Sequence, residues 1–329
     1  MGKDLLKTFK DTLLLHHWDT DGICSASIIL QTLKEKISEN LVPQLGRYSL
    51  LREEFELASQ FEHVIIVDIS LPQGDLIRLS ENSKVAVFDH HVQPRYDVLL
   101  HHNPILDGCD PLKYPAASIV ISNFLHRPFD ILSYLGAVGD RGIRIKQNPI
   151  LWERLTGFME EEDISFQQLL RMTELLDSMN RVGDKKGVEE APFLLLDDDV
   201  KSLILERKSW SDNLGKLEEA ISAFLSTPPE LVNGVQLKVL NTKFNIISKI
   251  TRKLAWGTGK DTIVVNNGFL DDYAQVYVRS TVKNLQPLIA LFTKKGFSVG
   301  GKRDVVGALI SLDAVEPFVE TILKELVNN

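Results

Sequence analysis

The chain has 329 residues, 44% apolar and 25% charged, which is ordinary for a globular protein and long enough for two domains with separate cores. No apolar run approaches the ~20 residues that span a bilayer, and residues 13–15 are too few for a signal peptide, so we expect a cytoplasmic protein that does not contact membranes. Only Cys24 and Cys109 are present, which excludes a disulfide framework.

Apolar runs and helical patterns alternate in the first half of the chain. The apolar runs predict parallel strands covered on both faces, at residues 13–15, 64–67 and 85–88. Helices are predicted at residues 23–37 and 116–125, and residues 131–138 are read as a helix or a strand. This alternation predicts a doubly wound, mainly parallel α/β sheet, whose ligands bind beyond the carboxyl ends of the strands.

A helical connector and a smaller α/β domain are predicted for the second half. Residues 150–192 are mostly helical, and residues 200–225 read as one amphipathic helix stopped by Pro228. Further strands are predicted at residues 235–240, 261–265 and 274–278, and further helices at 244–255, 285–294 and 315–327. The predicted domains are therefore residues 1–192, with a helical lobe from about 150, a connector at 193–229, and residues 230–329.

The net charge of −8 conceals a basic segment. Residues 236–310 contain 12 Lys and Arg against 4 Asp and Glu, so the rest of the chain is strongly acidic. A basic segment beside an acidic body is typical of proteins that hold a polyanion in one part and cations in another.

Four clusters of carboxylates and imidazoles follow apolar runs or precede helices. They are His17, Asp19 and Asp21; Asp68; Asp89, His90 and His91; and Asp140. Gathered at one sheet edge, these carboxylates would repel one another and raise each other's pKa unless cations lay between them. The pattern therefore predicts a pair of divalent metal ions.

The residue types indicate which metal this site would prefer. Asp19 and Asp21, two residues apart in an extended segment, would point the same way. Asp68 has two oxygens and could bridge two cations, although it could also cap the helix that follows. Mixed histidine and carboxylate ligation favours two Mn²⁺ ions, with Mg²⁺, Co²⁺ or Zn²⁺ as alternatives. Such a pair would activate water and neutralise an attacked phosphate.

These motifs resemble those of the DHH phosphoesterase superfamily. Asp19-Thr20-Asp21-Gly22, Asp68, the triplet Asp89-His90-His91 and Gly139-Asp140 match its first four motifs, and Arg279-Ser280 with residues 300–307 resemble its C-terminal associated domain. The resemblance implies that His17, Asp19 and Asp68 hold one metal, and that Asp21, Asp68, His90 and Asp140 hold the other. His16 competes with His17 for the first position.

The resemblance also implies catalytic and substrate-binding positions. Asp68, Asp89, His90 and His91 would be catalytic, with Asp89 orienting a histidine. Arg279, Ser280, Gly300, Gly301 and Lys302 would bind substrate, although Lys302 stands where the family has histidine and the glycines could form a simple turn. Arg141 could contact a phosphate or form a structural ion pair.

The function implied is that of a compact archaeal-type RecJ-like exonuclease acting on single-stranded DNA or RNA, in repair or replication. The alternatives are a nanoRNase or cyclic-dinucleotide phosphodiesterase, and a non-catalytic scaffold. Expected partners are a single strand or short oligonucleotide, a repair or replication protein, and further copies of the chain.

Overall fold

The computed structural model describes residues 2–328, and they form two compact units. The first contains residues up to Asn180 together with Asp184–Leu214, and the second contains Arg181–Gly183 and residues from Gly215 onward. The units therefore divide between Leu214 and Gly215, whereas the boundaries predicted at residues 192 and 229 stay a prediction.

The sheet of the first unit has five strands, all parallel, in the order β2-β1-β3-β4-β5. The strands are β1 (Thr12–His16), β2 (Ile37–Leu41), β3 (His63–Val67), β4 (Lys84–Phe88) and β5 (Leu100–His102). The three central strands β1, β3 and β4 are those predicted from apolar runs, and nearly all of their residues are buried. The predicted α/β class with a mainly parallel sheet is confirmed.

Ten helices of the described residues surround or adjoin this sheet. They are α1 (Gly2–Lys7), α2 (Thr20–Leu33), α3 (Arg52–Ala58), α4 (Gln73–Ser80), α5 (Ala117–Phe124), α6 (Ile131–Arg141), α7 (Pro149–Glu161), α8 (Phe166–Val182), α9 (Lys185–Leu194) and α10 (Val200–Glu206). The segment left open between helix and strand is therefore helical, as α6.

Two helix predictions were wrong in their bounds. The helix predicted at residues 23–37 begins earlier, at Thr20, because Asp19 caps it, and it ends at Leu33 before a 3₁₀ turn and β2. The single helix predicted at residues 200–225 is interrupted at Arg207, whose ψ of 103° is extended, so that α10 is followed by a separate α11 (Lys208–Ser226). The guanidinium of Arg207 packs over the ring of Trp210 at this break.

The second unit contains a six-stranded sheet in the order β10-β11-β9-β8-β7-β6. Its strands are β6 (Glu230–Val232), β7 (Val235–Leu240), β8 (Thr262–Asn266), β9 (Tyr273–Arg279), β10 (Ser298–Lys302) and β11 (Val305–Ser311), and its helices are α12 (Ile247–Thr258), α13 (Gln286–Lys294) and α14 (Val315–Asn328). Only β7 and β8 pair in parallel. One apolar cluster joins β7, β8, β9 and β11 to α13 and α14.

Five strands were absent from the sequence prediction: β2, β5, β6, β10 and β11. Four of them are edge strands with exposed positions, so they lack the continuous apolar run that identifies a central strand: β2, β5, β6 and β10. Among the described helices, none is both long enough and apolar enough to cross a lipid bilayer.

Candidate metal centre

Three of the predicted residues stand directly beyond the carboxyl ends of neighbouring strands. The backbone N–H of His17 donates to Val67 O (3.2 Å), that of Asp68 to Phe88 O (3.0 Å), and that of Asp89 to His102 O (3.2 Å). The parallel ladder thus continues one residue past β1, β3 and β4. The register brings the first three clusters to one sheet edge, as the strand pattern predicts.

The side chains that follow these strands form three groups of potential metal ligands. Within each group the ligand atoms lie within 4.8 Å of one another: His17, Asp19 and Asp68; Asp21, His90 and Asp140; and Asp68, Asp89, His90 and His91. All six residues predicted as metal ligands are therefore brought together in the first unit. The first group has the same members as the first ligand set implied by the family resemblance, and the second group lacks only Asp68 of the second set. Both sets remain a proposal for this chain.

Asp68 lies between the two histidines, with one oxygen facing each. Oδ2 is 3.8 Å from His17 Nδ1, and Oδ1 is 3.5 Å from His90 Nε2. Asp68 has a φ of 60°, in the left-handed region that asparagine and aspartate tolerate better than most residues. This backbone conformation and this placement suit a carboxylate that bridges two cations better than one that caps a helix.

The donor atoms around Asp68 are buried without hydrogen-bond partners. Among the described residues, this applies to both ring nitrogens of His17, both carboxylate oxygens of Asp68 and Nε2 of His90. His17 Nδ1 lies 2.9 Å from Asp19 Oδ2, and His90 Nε2 lies 3.1 Å from Asp140 Oδ2. Because unpaired buried polar atoms are costly, convergent nitrogen and oxygen donors of this kind fit divalent cations.

The electrostatics of the cluster also favour a cation. Burial, followed by the charges of neighbouring carboxylates, raises the pKa of Asp68 well above its ordinary value. The same two causes raise the pKa of Asp21 to about 6, and among the carboxylates the charge of Asp140 has the largest effect. Burial would lower the pKa of His90, but the Asp140 carboxylate beside its ring raises it to about 9. Bound cations would stabilise the charged carboxylates.

Asp21 is held by the N-terminus of α5. Oδ2 accepts from Ala117 N–H (2.6 Å) and Oδ1 from Ser118 N–H (3.0 Å). The carboxylate of Asp21 lies in the first turn of α2, whereas Asp19 is the N-cap and accepts from Gly22 N–H (3.1 Å). The prediction that the two carboxylates share one face of an extended segment was therefore wrong. The start of α2 directs them into different ligand groups.

Helix α8 of the helical lobe fixes the segment that carries these two carboxylates. Asp177 Oδ1 accepts from Thr20 N–H (3.0 Å) and Thr20 Oγ1 (2.7 Å), and Asn180 Nδ2 donates to Trp18 O (3.1 Å). Sequence reasoning missed this role of the lobe. These contacts join residues more than 150 positions apart, so no local pattern signals them.

His16 and His17 have separate environments. His16 is fully buried, its Nε2 lies 3.1 Å from Asn40 Nδ2, and its Nδ1 lies 2.7 Å from His17 O. Burial lowers the pKa of His16 to about 4. Since His17 faces Asp19 and Asp68, the geometry favours His17 over its neighbour as a ligand.

Comparison with known proteins shows what the first part of the chain is similar to. The model described as the N-terminal domain of the DHH family matches residues 12–140, which include all six predicted ligands. Residues 12–140 are therefore identified as a DHH N-terminal domain. No curated protein matches the chain in sequence.

Solved structures share this fold at low sequence identity. RecJ with Mn²⁺ from Thermus thermophilus is 18% identical with a TM-score of 0.68, and 97% of this chain matches 53% of that chain. An exonuclease RecJ bound to manganese is 17% identical with a TM-score of 0.67, covering 97% and 91%. A pGpG-specific phosphodiesterase from Vibrio cholerae is 15% identical with a TM-score of 0.52, covering 97% and 99%. The chain thus spans about half the length of the Thermus protein.

In this DHH domain, the triplet is organised by its aspartate. Asp89 Oδ1 accepts from the N–H of His90 (2.6 Å), the N–H of His91 (3.1 Å) and His91 Nδ1 (2.7 Å). Asp89 Oδ2 accepts from Ser70 Oγ (3.1 Å) and Gln93 Nε2 (2.8 Å). Burial would raise the pKa of Asp89, but the bond from His91 lowers it below its ordinary value. Asp89 therefore orients both histidines, while the ring of His91 stays half-exposed.

Asp140 and Arg141 lie in the last turn of α6, so the fourth motif of this DHH domain ends a helix and does not follow a strand. Asp140 faces His90 across the end of the sheet. Arg141 is half-buried, and it forms no ion pair within residues 2–328. The contact with a phosphate therefore remains the prediction for Arg141, and the structural ion pair is not seen.

Apart from Arg141, the residues predicted to bind substrate lie in the second unit, at the end of β9, directly after it, and on β10. Arg279 is buried, with Nη1 donating to Asp304 Oδ2 (2.8 Å), and the buried hydroxyl of Ser280 accepts from Lys283 N–H (2.8 Å). Gly300, Gly301 and Lys302 belong to the edge strand β10 and do not form a turn. At Gly301, φ is 154° and a Cβ would lie 2.1 Å from Val305 O, so the hairpin itself requires glycine there.

Proposed function

We propose that the chain is a metal-dependent phosphodiesterase, a RecJ-like exonuclease that hydrolyses single-stranded DNA or RNA. The DHH domain of residues 12–140 and the similarity in fold to RecJ structures support a phosphoesterase, a hydrolase of phosphodiester bonds. The observation that carries the proposal is the position of Asp68, which presents one buried oxygen to each of two histidines. Without cations on both sides, both buried oxygens of this carboxylate would lack partners, which is costly in a folded core.

Two Mn²⁺ ions are the proposed cofactors, with Mg²⁺ or Co²⁺ as alternatives. One would be held by His17, Asp19 and Asp68, and the other by Asp21, Asp68, His90 and Asp140, sets that combine hard oxygens with imidazole nitrogens. When bound, the ions would supply a nucleophile from water at neutral pH and neutralise the charge of the attacked phosphate.

The protein's own groups would position the substrate phosphate. His91 is fixed by Asp89 through Nδ1, and its half-exposed ring can direct Nε2 at a phosphate oxygen. Arg141, next to Asp140, offers a guanidinium for a second oxygen. These contacts would orient the scissile bond, which is the main demand that phosphoryl transfer places on a protein.

The second unit is proposed to hold the rest of the substrate. Arg279 and Ser280 at the end of β9, with Gly300, Gly301 and Lys302 of β10, would bind its phosphates, and the excess of 8 positive charges over residues 236–310 would attract a polyanion. Lys302 can bind a phosphate as a point charge.

A second candidate function is a nanoRNase or cyclic-dinucleotide phosphodiesterase. It is favoured by the structural similarity to a pGpG-specific phosphodiesterase over nearly the whole of both chains. The same two-metal chemistry cleaves both kinds of substrate, so the substrate-holding unit would decide between them.

The experiment that tests the proposal is product analysis with Mn²⁺. Single strands of DNA and RNA, labelled at the 5′ or 3′ end, are incubated beside a dinucleotide and pyrophosphate. Release of mononucleotides from one end of the long strands supports the exonuclease and gives its polarity. Cleavage of the dinucleotide alone supports the second candidate, and no hydrolysis at all would favour a non-catalytic scaffold.

The proposed cellular role is in DNA repair or replication, in the cytoplasm, with a repair or replication protein or a second copy of the chain as partner. Both cysteines are free thiols, which suits a reducing compartment.

A further inference from the structure

The side chain of Trp256 is unusually exposed for a tryptophan. It lies on α12 of the second unit with 61% of its surface accessible. The opposite face of α12 packs into an apolar cluster through Ile247 and Ile250. The packing of α12 therefore does not require Trp256. The exposure of so large an aromatic side chain needs another explanation.

Two guanidinium groups lie close to the exposed indole. The Cζ of Arg252 lies 5.5 Å from the ring centroid of Trp256, and the Cζ of Arg279 lies 5.6 Å from it. Arg279, the last residue of β9, is buried and pairs with Asp304, which fixes its guanidinium beside the ring. Arg252, one helical turn before Trp256, is exposed. These distances are within the range of cation–π attraction.

The surroundings of the ring are cationic. Lys253 and Lys260 are exposed on or directly after α12. Two of the four acids in residues 236–310 are engaged by cations of the same unit, since Asp304 pairs with Arg279 and Asp261 with Lys283 (2.9 Å). The indole is therefore an exposed aromatic face with several cationic side chains on the same helix and directly after it.

We propose that Trp256, with Arg252 and Arg279 close to its ring, is a stacking site for a nucleobase of a single-stranded nucleic acid. An aromatic face within a positive groove is the combination that binds bases and phosphates of single strands together. The guanidiniums would take the phosphates next to the stacked base. Pyrophosphate and simple phosphodiesters have no base that could stack on the indole. This inference deepens the proposed function, on which it rests, by naming a base-bearing substrate.

The test is equilibrium binding without hydrolysis. The affinity of fluorescein-labelled oligo-dT is measured by anisotropy in EDTA, for wild type, Trp256→Ala and Trp256→Phe. Leu231→Ala is the control, because Leu231 is equally exposed (57%) in the same unit. The loss of one stacked base weakens binding about 5- to 100-fold in Trp256→Ala. Trp256→Phe retains most of the affinity, and Leu231→Ala equals wild type.

An abasic strand of the same length separates stacking from charge. It retains the phosphates, so wild type binds it more weakly than oligo-dT, and Trp256→Ala causes no further loss. Equal losses on both strands would overturn the proposal, as would unchanged affinity for oligo-dT or no binding by wild type. Conversion of a dimer to a monomer in Trp256→Ala, with oligonucleotide affinity unchanged, would also overturn it and indicate a self-association surface.

A separate measurement distinguishes this inference from the proposed function. Wild-type hydrolysis of bis(p-nitrophenyl) phosphate with Mn²⁺ reports on the metal centre without a nucleobase. Hydrolysis of this diester with unchanged binding by Trp256→Ala would refute the stacking site alone. Failure of wild type to hydrolyse any diester would refute the proposed function, whatever the binding data show.

Discussion

Substitution of Gly136 by alanine should disturb the metal centre from within the helical core. Gly136 lies in α6, where a Cβ would approach Ser118 Oγ to 2.2 Å, Asp21 Oδ1 to 2.3 Å and Ser118 Cβ to 2.7 Å. Rotation of the hydroxyl relieves the first contact only. Overpacking of this kind costs about 1–3 kcal/mol. The better helix propensity of alanine, about 1 kcal/mol, offsets this cost in part or in full, so we expect a net loss of about 0–2 kcal/mol.

The matched control is Gly157→Ala in α7, where a Cβ would meet nothing within 4 Å and alanine should stabilise the helix by up to about 1 kcal/mol. Urea unfolding measures both variants, and calorimetric titration with Mn²⁺ measures their affinity. Because Asp21 must shift in Gly136→Ala, its Mn²⁺ affinity should fall about tenfold, a loss typical when groups supporting metal ligands are disturbed. If both variants had the same stability and Mn²⁺ affinity, the packing argument would be refuted.

Three further perturbations probe the centre. Asp177→Ala removes the acceptor for Thr20 and should lower Mn²⁺ affinity about 10- to 100-fold in titration calorimetry, with an unchanged circular dichroism spectrum. Unchanged affinity would show that α8 does not position the metal ligands. His91→Ala should reduce hydrolysis of labelled strands about 100-fold while Mn²⁺ still binds, since Nδ1 of His91 is engaged by Asp89; loss of Mn²⁺ binding would contradict this. Mn²⁺ at 100 times its Kd should stabilise the protein over EDTA by about 2.7 kcal/mol for each occupied site in thermal melting, and equal melting temperatures would argue against tight metal binding.

The strands that position the metal centre could be predicted because each carries its own signal. Residues of β3 and β4 form continuous apolar runs, and each run ends in an acid at the sheet edge. Parallel pairing then brings Asp68 and Asp89 together without further information. The fold class and the converging clusters therefore follow from local pattern alone.

Other features depend on contacts that no local pattern contains. Edge strand β2 has exposed and buried residues and follows α2 after a single 3₁₀ turn, so its first residue falls within the helix that the sequence predicts. The capping of α2 by Asp19 moves Asp21 from an extended segment into a helical turn. The anchoring of Thr20 by Asp177 links positions 157 residues apart and becomes visible only in three dimensions.

The central claim is that Asp68 bridges two metal ions, and calorimetric titration of Mn²⁺ into Asp68→Asn tests it most directly. Asparagine tolerates the left-handed backbone of Asp68, so the variant should fold. Asp198→Asn, at an exposed acid, is the control. We predict two Mn²⁺ ions bound by wild type and the control, with binding weakened or abolished at both sites in Asp68→Asn. Equal Mn²⁺ binding by all three proteins, or none by wild type, would contradict the account.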